Sequence, residues 1–260
     1  MTLLIDLGNT ALKWAGSETG RFDTVQVELH RGQATHLEEH LTQAWRGLAV
    51  GPAFGCSVAA ESLRDAVERA ARACGRSVEW LASQDRYRGD FILKNGYRNP
   101  RQLGADRWHG MLGACERHAG HVVLIAAGTA TTLDAVERHG DTAHFVGGCI
   151  APGTRLMLES LAQGTAGLPH ATGNAVAFPD NTDDAIATGV ADAQVGLASQ
   201  FITRFRQRLD QDAAVVVSGG DADALARRLH AAGVACAIEH NLVLAGLALR
   251  AHAATRGSMQ

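Results

Sequence analysis

At 260 residues the chain is long enough for two modest lobes of roughly 120 to 140 residues sharing one cleft, and its 46% apolar and 20% charged residues are a globular composition, not a disordered one. A formal net charge of −3, with Lys and Arg scattered, provides no basic stripe for a phosphate backbone, so nucleic acid is not an expected partner. The amino terminus meets Asp6 with no positive segment before it, and the longest uncharged apolar run, Leu242–Leu249, falls far short of the ~20 residues of a membrane span. A cytoplasmic protein with no membrane partner is therefore expected.

Periodicity and turn residues predict, in chain order, strands over 2–6 and 10–16, a helix over 33–46, a strand over 49–55, a helix over 60–74 and a strand over 77–81. A helix over 100–118 follows, then strands over 121–126, 130–137 and 143–150 and helices over 153–163 and 183–209. The chain closes with a strand over 213–218, a helix over 221–232, a strand over 234–238 and a helix over 240–253. Alternation of this kind is an α/β protein. Cys56, Cys74, Cys115, Cys149 and Cys236 are odd in number and contain no Cys-x-x-Cys pair, which reads as reduced core thiols. The twelve histidines read as surface or satisfied core residues.

Sliding the chain on itself reveals a repeat at an offset of 120: Leu3 to Lys13 aligns with Val123 to Leu133. Each copy is an apolar strand, a glycine turn with small polar residues, and a second strand. Two such hairpins, one opening each half, suit a duplicated fold that grips a nucleotide from both sides, because glycine lets backbone N–H groups approach phosphate. A third glycine turn, Ser218-Gly219-Gly220-Asp221, ends a strand and starts a helix, a usual place to receive a nucleotide.

Asp6 ends the first strand beside Gly8, Asn9 and Thr10, where a carboxylate can hold Mg²⁺ on ATP, partly through water. Lys13, on the second strand, can reach back to the phosphates as a point charge. In the segment Lys94 to Trp108, Asn99 reads as N-cap and Pro100 as the first helical residue, which places Asp106 and Arg107 about two turns into that helix. Gly104 then lies in a helix interior, at a cost of roughly 1 kcal/mol, and suggests a substrate packed on bare backbone. Asp106 suits a proton acceptor in phosphoryl transfer, and Arg107 a fork onto an anionic group.

Four motifs in order carry a specific resemblance: Asp6-Leu7-Gly8-Asn9-Thr10 with Lys13; Asn99-Pro100 followed by Leu103-Gly104-Ala105-Asp106-Arg107; Gly128-Thr129-Ala130 with Thr132-Leu133-Asp134; and Gly147-Gly148 with Ile150-Ala151-Pro152-Gly153. Together they resemble the type III pantothenate kinases, a family that includes Bvg accessory factor-like proteins. The resemblance implies a duplicated ribonuclease-H-like fold of the actin-like ATPase and sugar kinase superfamily, with lobes 1–118 and 119–260. It implies ATP-dependent phosphorylation of pantothenate in coenzyme A biosynthesis by a homodimer. It assigns Asp106 as catalytic residue; Asp6, Leu7, Gly8, Asn9, Thr10, Lys13 and Thr129 to ATP; and Tyr97, Gly104, Ala105, Asp106, Arg107 and Thr182 to pantothenate. Members commonly hold potassium or ammonium with an aspartate where this chain has Ala126, so a weaker dependence on a monovalent cation is expected. A kinase of another small metabolite on the same scaffold, or a non-catalytic regulatory accessory protein, are the alternative readings.

Overall fold

The computed structural model describes residues 1–18, 20–22, 24–209 and 211–257. They gather into two compact units, the first made of Met1–Ala119, Gly140–His144 and the segment from Asn241, the second of Gly120–His139 and Phe145–His240. The segment from Asn241 gathers with the first unit.

The first unit contains β1 (Thr2–Leu7), β2 (Ala11–Ser17), β3 (Gln26–Leu29), α1 (Ala34–Trp45), β4 (Ala53–Ser57), α2 (Glu61–Ala73) and β5 (Val78–Trp80), with sheet order β3-β2-β1-β4-β5. Two short strands, β6 (Arg86–Arg88) and β7 (Ile92–Lys94), form a small hairpin. A 3-10 turn at Pro100–Gln102 and helix α3 (Ala105–Arg117) follow.

Strand alternation decides what each sheet face meets. Leu3, Ile5 and Leu7 of β1 pack with Leu37, Leu41 and Trp45 of α1 and Leu63 and Val67 of α2. Leu4, one position out of phase, joins Ala15, Phe54 and Cys56 on the other face, against Leu244, Leu247 and Ala248 of the C-terminal helix. That face explains why the C-terminal segment belongs to the first unit.

The second unit contains β8 (Val122–Ala127), β9 (Ala130–His139), α4 (Thr154–Gly164), α5 (Thr182–Leu209), β11 (Ala214–Ser218), α6 (Ala222–Ala231) and β12 (Ala237–Ile238). Strand β10 (Thr142–Pro152) lies beside β9, in the order β12-β11-β8-β9-β10. Val123, Ile125 and Ala127 of β8 and Leu133 and Ala135 of β9 bury against Ala198, Phe201 and Ile202 of α5 and Leu225 and Leu229 of α6.

The C-terminal helix, α7 (Leu242–Gly257), lies on α3 at a glycine seam. A Cβ at Gly246 would stand 2.0 Å from the His109 carbonyl oxygen, and one at Gly113 2.2 Å from that of Leu242. Alanine at a helical glycine ordinarily gains up to ~1 kcal/mol. Here overpacking reverses the sign, and Gly246→Ala is expected to cost about 1 to 3 kcal/mol. A thermal melt measures it; an unchanged or raised Tm would contradict the close seam.

Secondary structure departs from the sequence expectation at several elements. The strand expected at 49–55 runs over Ala53–Ser57, the strand expected at 234–238 shrinks to Ala237–Ile238, and β3, β6 and β7 had no strong signal. β3 is a four-residue edge strand with Val27 and Leu29 exposed, so no alternating buried face announces it.

Candidate active site

Asp6 shares its β1 face with Leu4, the face covered by α7, on which Ala105 at the start of α3 also packs. Cross-strand partners lie on the same face, and Asp6 is paired with Lys13 on β2 and with Cys56 on β4. The Cys56 thiol donates to Asp6 Oδ1 at 3.9 Å, a long sulfur contact. Burial pushes the Asp6 carboxyl up to about 6, opposed by the Lys13 ammonium and reinforced by the Asp106 charge. Strand alternation thus sets Asp6 beside Lys13, and packing of the start of α3 on the same face brings the Asp106 charge, 100 positions on, to bear on the Asp6 carboxyl.

Helix α3 begins later than expected. Asn99 does cap, its side chain accepting from the Arg101 N–H at 3.2 Å, but what it caps is the single 3-10 turn. The chain then extends at Leu103 and Gly104, and Gly104 is the N-cap of α3. Asp106 consequently lies in the first turn of its helix, not two turns in, where the exposed N–H groups and the helix dipole favour a carboxylate. Asp106 Oδ1 accepts from the Arg107 N–H at 2.8 Å. Gly104 also has a different cause from the one its position in the sequence suggested. A Cβ there would be 2.6 Å from Asp106 Oδ1, so the missing side chain makes room for the carboxylate itself. Burial raises the Asp106 pKa from its ordinary value, opposed by the Arg107 N–H and guanidinium.

Arg107 is buried, and its Nη1 donates to the Tyr97 hydroxyl at 2.8 Å while the guanidinium lies 5.7 Å from the centre of the Tyr97 ring. Two residues assigned to one anion-binding role are therefore in contact. Asn95 holds the loop between them: its Oδ1 accepts from Tyr97 N–H, and its Nδ2 donates to the carbonyls of Gln84 and Pro100. Beneath Ala105, His109 donates from Nδ1 to the Ala105 carbonyl at 2.7 Å and accepts at Nε2 from Arg250 of α7 at 3.2 Å. Burial, with the Arg250 charge, pushes the His109 pKa down to about 3, so it is neutral at ordinary pH.

In the second unit the turn after β8 resembles the turn after β1 but is one residue shorter. Gly8 N–H bonds the Ala11 carbonyl, whereas Gly128 N–H bonds that of Ala130. The register follows: Asp6 opposes Lys13, but Ala126 opposes Thr132. The straight 120-residue alignment therefore slips by one after the turn, and the counterpart of Lys13 is Thr132, not Leu133. The Thr132 hydroxyl is buried without a hydrogen-bond partner among the described residues. Gly153 braces this turn, its N–H bonding the Thr129 carbonyl at 3.0 Å; a Cβ there would stand 2.0 Å from the Gly128 oxygen.

Gly219, at φ +103, approaches the Ala127 carbonyl, to which Asp221 N–H donates at 3.1 Å. Asp221 is at the N-cap of α6 but its side chain makes no capping bond. Ala127, Thr131, Asn174, Gln194, Asp221 and Arg228 line a cavity of about 290 Å³ in this unit. Thr182 is exposed at the start of α5, on an open groove of about 820 Å³ with Met157, Leu161 and Ile186. Thr129 and Thr182 thus belong to the second unit, and the other assigned residues to the first.

Three residues in these arrangements escaped the sequence. Cys56 carried no signal beyond a buried thiol. Gln194, buried on α5, accepts from the Thr131 hydroxyl at 2.7 Å and donates to the Pro152 carbonyl at 2.8 Å. His109 reads as one more apolar-face histidine. The helical pair His36 and His40 was also passed over; their rings lie 4.1 Å apart, but no group of three metal-binding side chains occurs among the described residues. No helix among them is long and apolar enough to cross a membrane.

A family model described as type III pantothenate kinase matches residues 2–204. The type III pantothenate kinase of Laribacter hongkongensis is 40% identical over 249 residues, covering 95% of this chain and 97% of that protein. That of Chromobacterium violaceum is 39% identical over 252 residues, covering 95% and 98%. Among solved structures, the ethanolamine utilization protein EutJ from Carboxydothermus hydrogenoformans superposes with a TM-score of 0.56 at 12% identity, over 95% of this chain and 88% of that one. Component A of (R)-2-hydroxyglutaryl-CoA dehydratase from Acidaminococcus fermentans gives 0.54 at 15% identity, over 98% of each. These two likenesses concern the fold alone, a mixed α/β architecture that both share with this chain. With a family model running from β1 into α5 and relatives near 40% identity along almost the whole length, the chain belongs to the type III pantothenate kinase family.

Proposed function

We propose that the chain transfers the γ-phosphoryl group of ATP to the primary hydroxyl of pantothenate, the entry to coenzyme A biosynthesis, with Asp106 accepting the hydroxyl proton. Family membership supports the reaction. The observation that supports the roles is that Asp6 and Lys13 are cross-strand partners on the sheet face where the start of α3 packs, with the Asp106 charge acting on Asp6.

Asp106 suits a base: its pKa is raised toward working pH, and its carboxylate is held at a helix N-terminus rather than in a short ion pair. Arg107, with Tyr97, offers a charged fork for the pantothenate carboxylate, joined by Gly104, Ala105 and Thr182. Leu7 to Thr10 and Thr129 offer turn backbone to the phosphates, and Lys13 a point charge. Asp6 suits Mg²⁺, since its buried carboxylate meets the Cys56 thiol at long range and such a cation needs one or two carboxylates plus waters. Bound with ATP, Mg²⁺ neutralises charge on the transferring phosphoryl group. The homodimer, the cytoplasmic location and the lobes 1–118 and 119–260, which rest on the internal repeat, complete the reading. A coupled assay of ADP release tests it: release should require pantothenate, and release indifferent to pantothenate would overturn it.

Ala126 brings neither an oxygen ligand nor a negative charge to the second turn, so weak activation by potassium or ammonium is expected. Titrating KCl against choline chloride at constant ionic strength measures it. Ala126→Asp should strengthen the response and give the Thr132 hydroxyl an acceptor; strong saturable activation of the parent at low millimolar potassium would contradict the expectation.

A further inference from the structure

We infer that His30 is a positioning residue for the Gly8–Thr10 turn, aiming its backbone donors at the ATP phosphates; the inference rests on the reading of that turn as part of the ATP site. His30 follows β3 and is 2% exposed, with both ring nitrogens engaged. The Gly32 N–H donates to Nδ1 at 3.1 Å, and Nε2 lies 3.0 Å from the Gly8 carbonyl oxygen. A backbone N–H can only donate and a carbonyl oxygen can only accept. One neutral tautomer satisfies both: Nδ1 is bare, and Nε2–H donates to Gly8.

The next residue adds a second tie, Arg31 N–H to the Thr10 carbonyl at 3.2 Å. Arg31 adopts φ +47 and Gly32 φ +86, and the left-handed region costs a non-glycine residue roughly 1 kcal/mol or more. This strained corner is where the loop reaches the two turn carbonyls. No cis peptide occurs among the described residues, so within the Gly8–Asn9 peptide the C=O and N–H point in opposite directions. Fixing the Gly8 oxygen on His30 therefore turns the Asn9 N–H away from the 30–32 loop, as a phosphate donor requires. In the second turn a backbone donor, the Gly153 N–H, holds a turn carbonyl one residue further on, that of Thr129.

Two substitutions divide the two bonds of the ring. Asparagine places an acceptor near the Nδ1 position and can keep the Gly32 bond but not reach Gly8; glutamine places a donor near Nε2 and can keep the Gly8 bond. His30→Asn and His30→Ala are expected to raise the ATP KM roughly three- to tenfold, the net worth of one or two neutral hydrogen bonds. The pantothenate KM should stay within about twofold, and His30→Gln should restore the ATP KM. Thermal melts accompany the kinetics, and His30→Asn decides the matter if His30→Ala does not fold. An ATP KM that stays at the parent value in His30→Asn, or that moves together with the pantothenate KM, or that glutamine does not restore, overturns the inference. Lys13→Ala measured in parallel separates the two ideas. If Lys13→Ala also leaves the ATP KM unchanged, the ATP-site reading falls; if it raises the KM while His30→Asn does not, His30 alone is wrong.

Discussion

Asp106→Asn is expected to lower kcat by roughly 10²- to 10⁴-fold while leaving ATP affinity within about twofold. The substitution is narrow because an amide oxygen can still accept the Arg107 N–H at the first turn of α3 and still fits the space left by Gly104. What is lost is the ability to take up a proton. Nucleotide affinity by calorimetry and single-turnover rates separate the two effects, and near-parental turnover at saturating substrate would remove Asp106 as the base. The pH dependence adds a second check. A base works ionised, and burial raises Asp106 above the ordinary carboxylate value of 3.8, so kcat/KM should decline as pH falls through that raised value. An acid limb at the ordinary carboxylate position would show that the buried group is not the one titrating. Asp6, near 6 before cation binds, should also make the Mg²⁺ requirement steeper as pH falls through that value, since proton and cation compete for one carboxylate.

Arg107→Ala is expected to weaken pantothenate by about 10- to 150-fold, the range of a charge-assisted hydrogen bond of roughly 1.5 to 3 kcal/mol. The side chain is buried and its orientation is set by the Tyr97 hydroxyl and ring, so part of its value is preorganisation. Lysine carries the charge but lacks the planar fork, and Arg107→Lys should recover only part of the loss. Tyr97→Phe, which keeps the ring and deletes the hydroxyl acceptor, should give a smaller loss in the same direction. Pantothenate KM with ATP saturating measures all three. A pantothenate constant unchanged in Arg107→Ala would take Arg107 out of the substrate site, whatever happens to Tm.

The sequence by itself determined the parts that depend on neighbours along the chain. Apolar runs followed by glycine located both hairpins, and because a tight hairpin keeps its two strands side by side, Asp6 and Lys13 were readable as flanking one turn, though not as partners in register. Four ordered motifs were enough to indicate the family. Tertiary structure decided what depends on distant segments. That Asp106 stands near Asp6 follows from which face of β1 is covered by α7 and the start of α3, a matter of packing across 100 residues that no local pattern encodes. The start of α3 at Ala105, and Gly104 as room for a carboxylate, likewise depend on the folded geometry. An N-cap asparagine followed by proline starts a 3-10 turn as readily as a helix, and only the geometry at Leu103 and Gly104 shows the chain extending between the two. The one-residue slip between the hairpins and the His30 contact with Gly8 have the same origin. Backbone hydrogen bonds across a turn or between loops depend on three-dimensional register, and residue identity constrains that register only where a face must be buried.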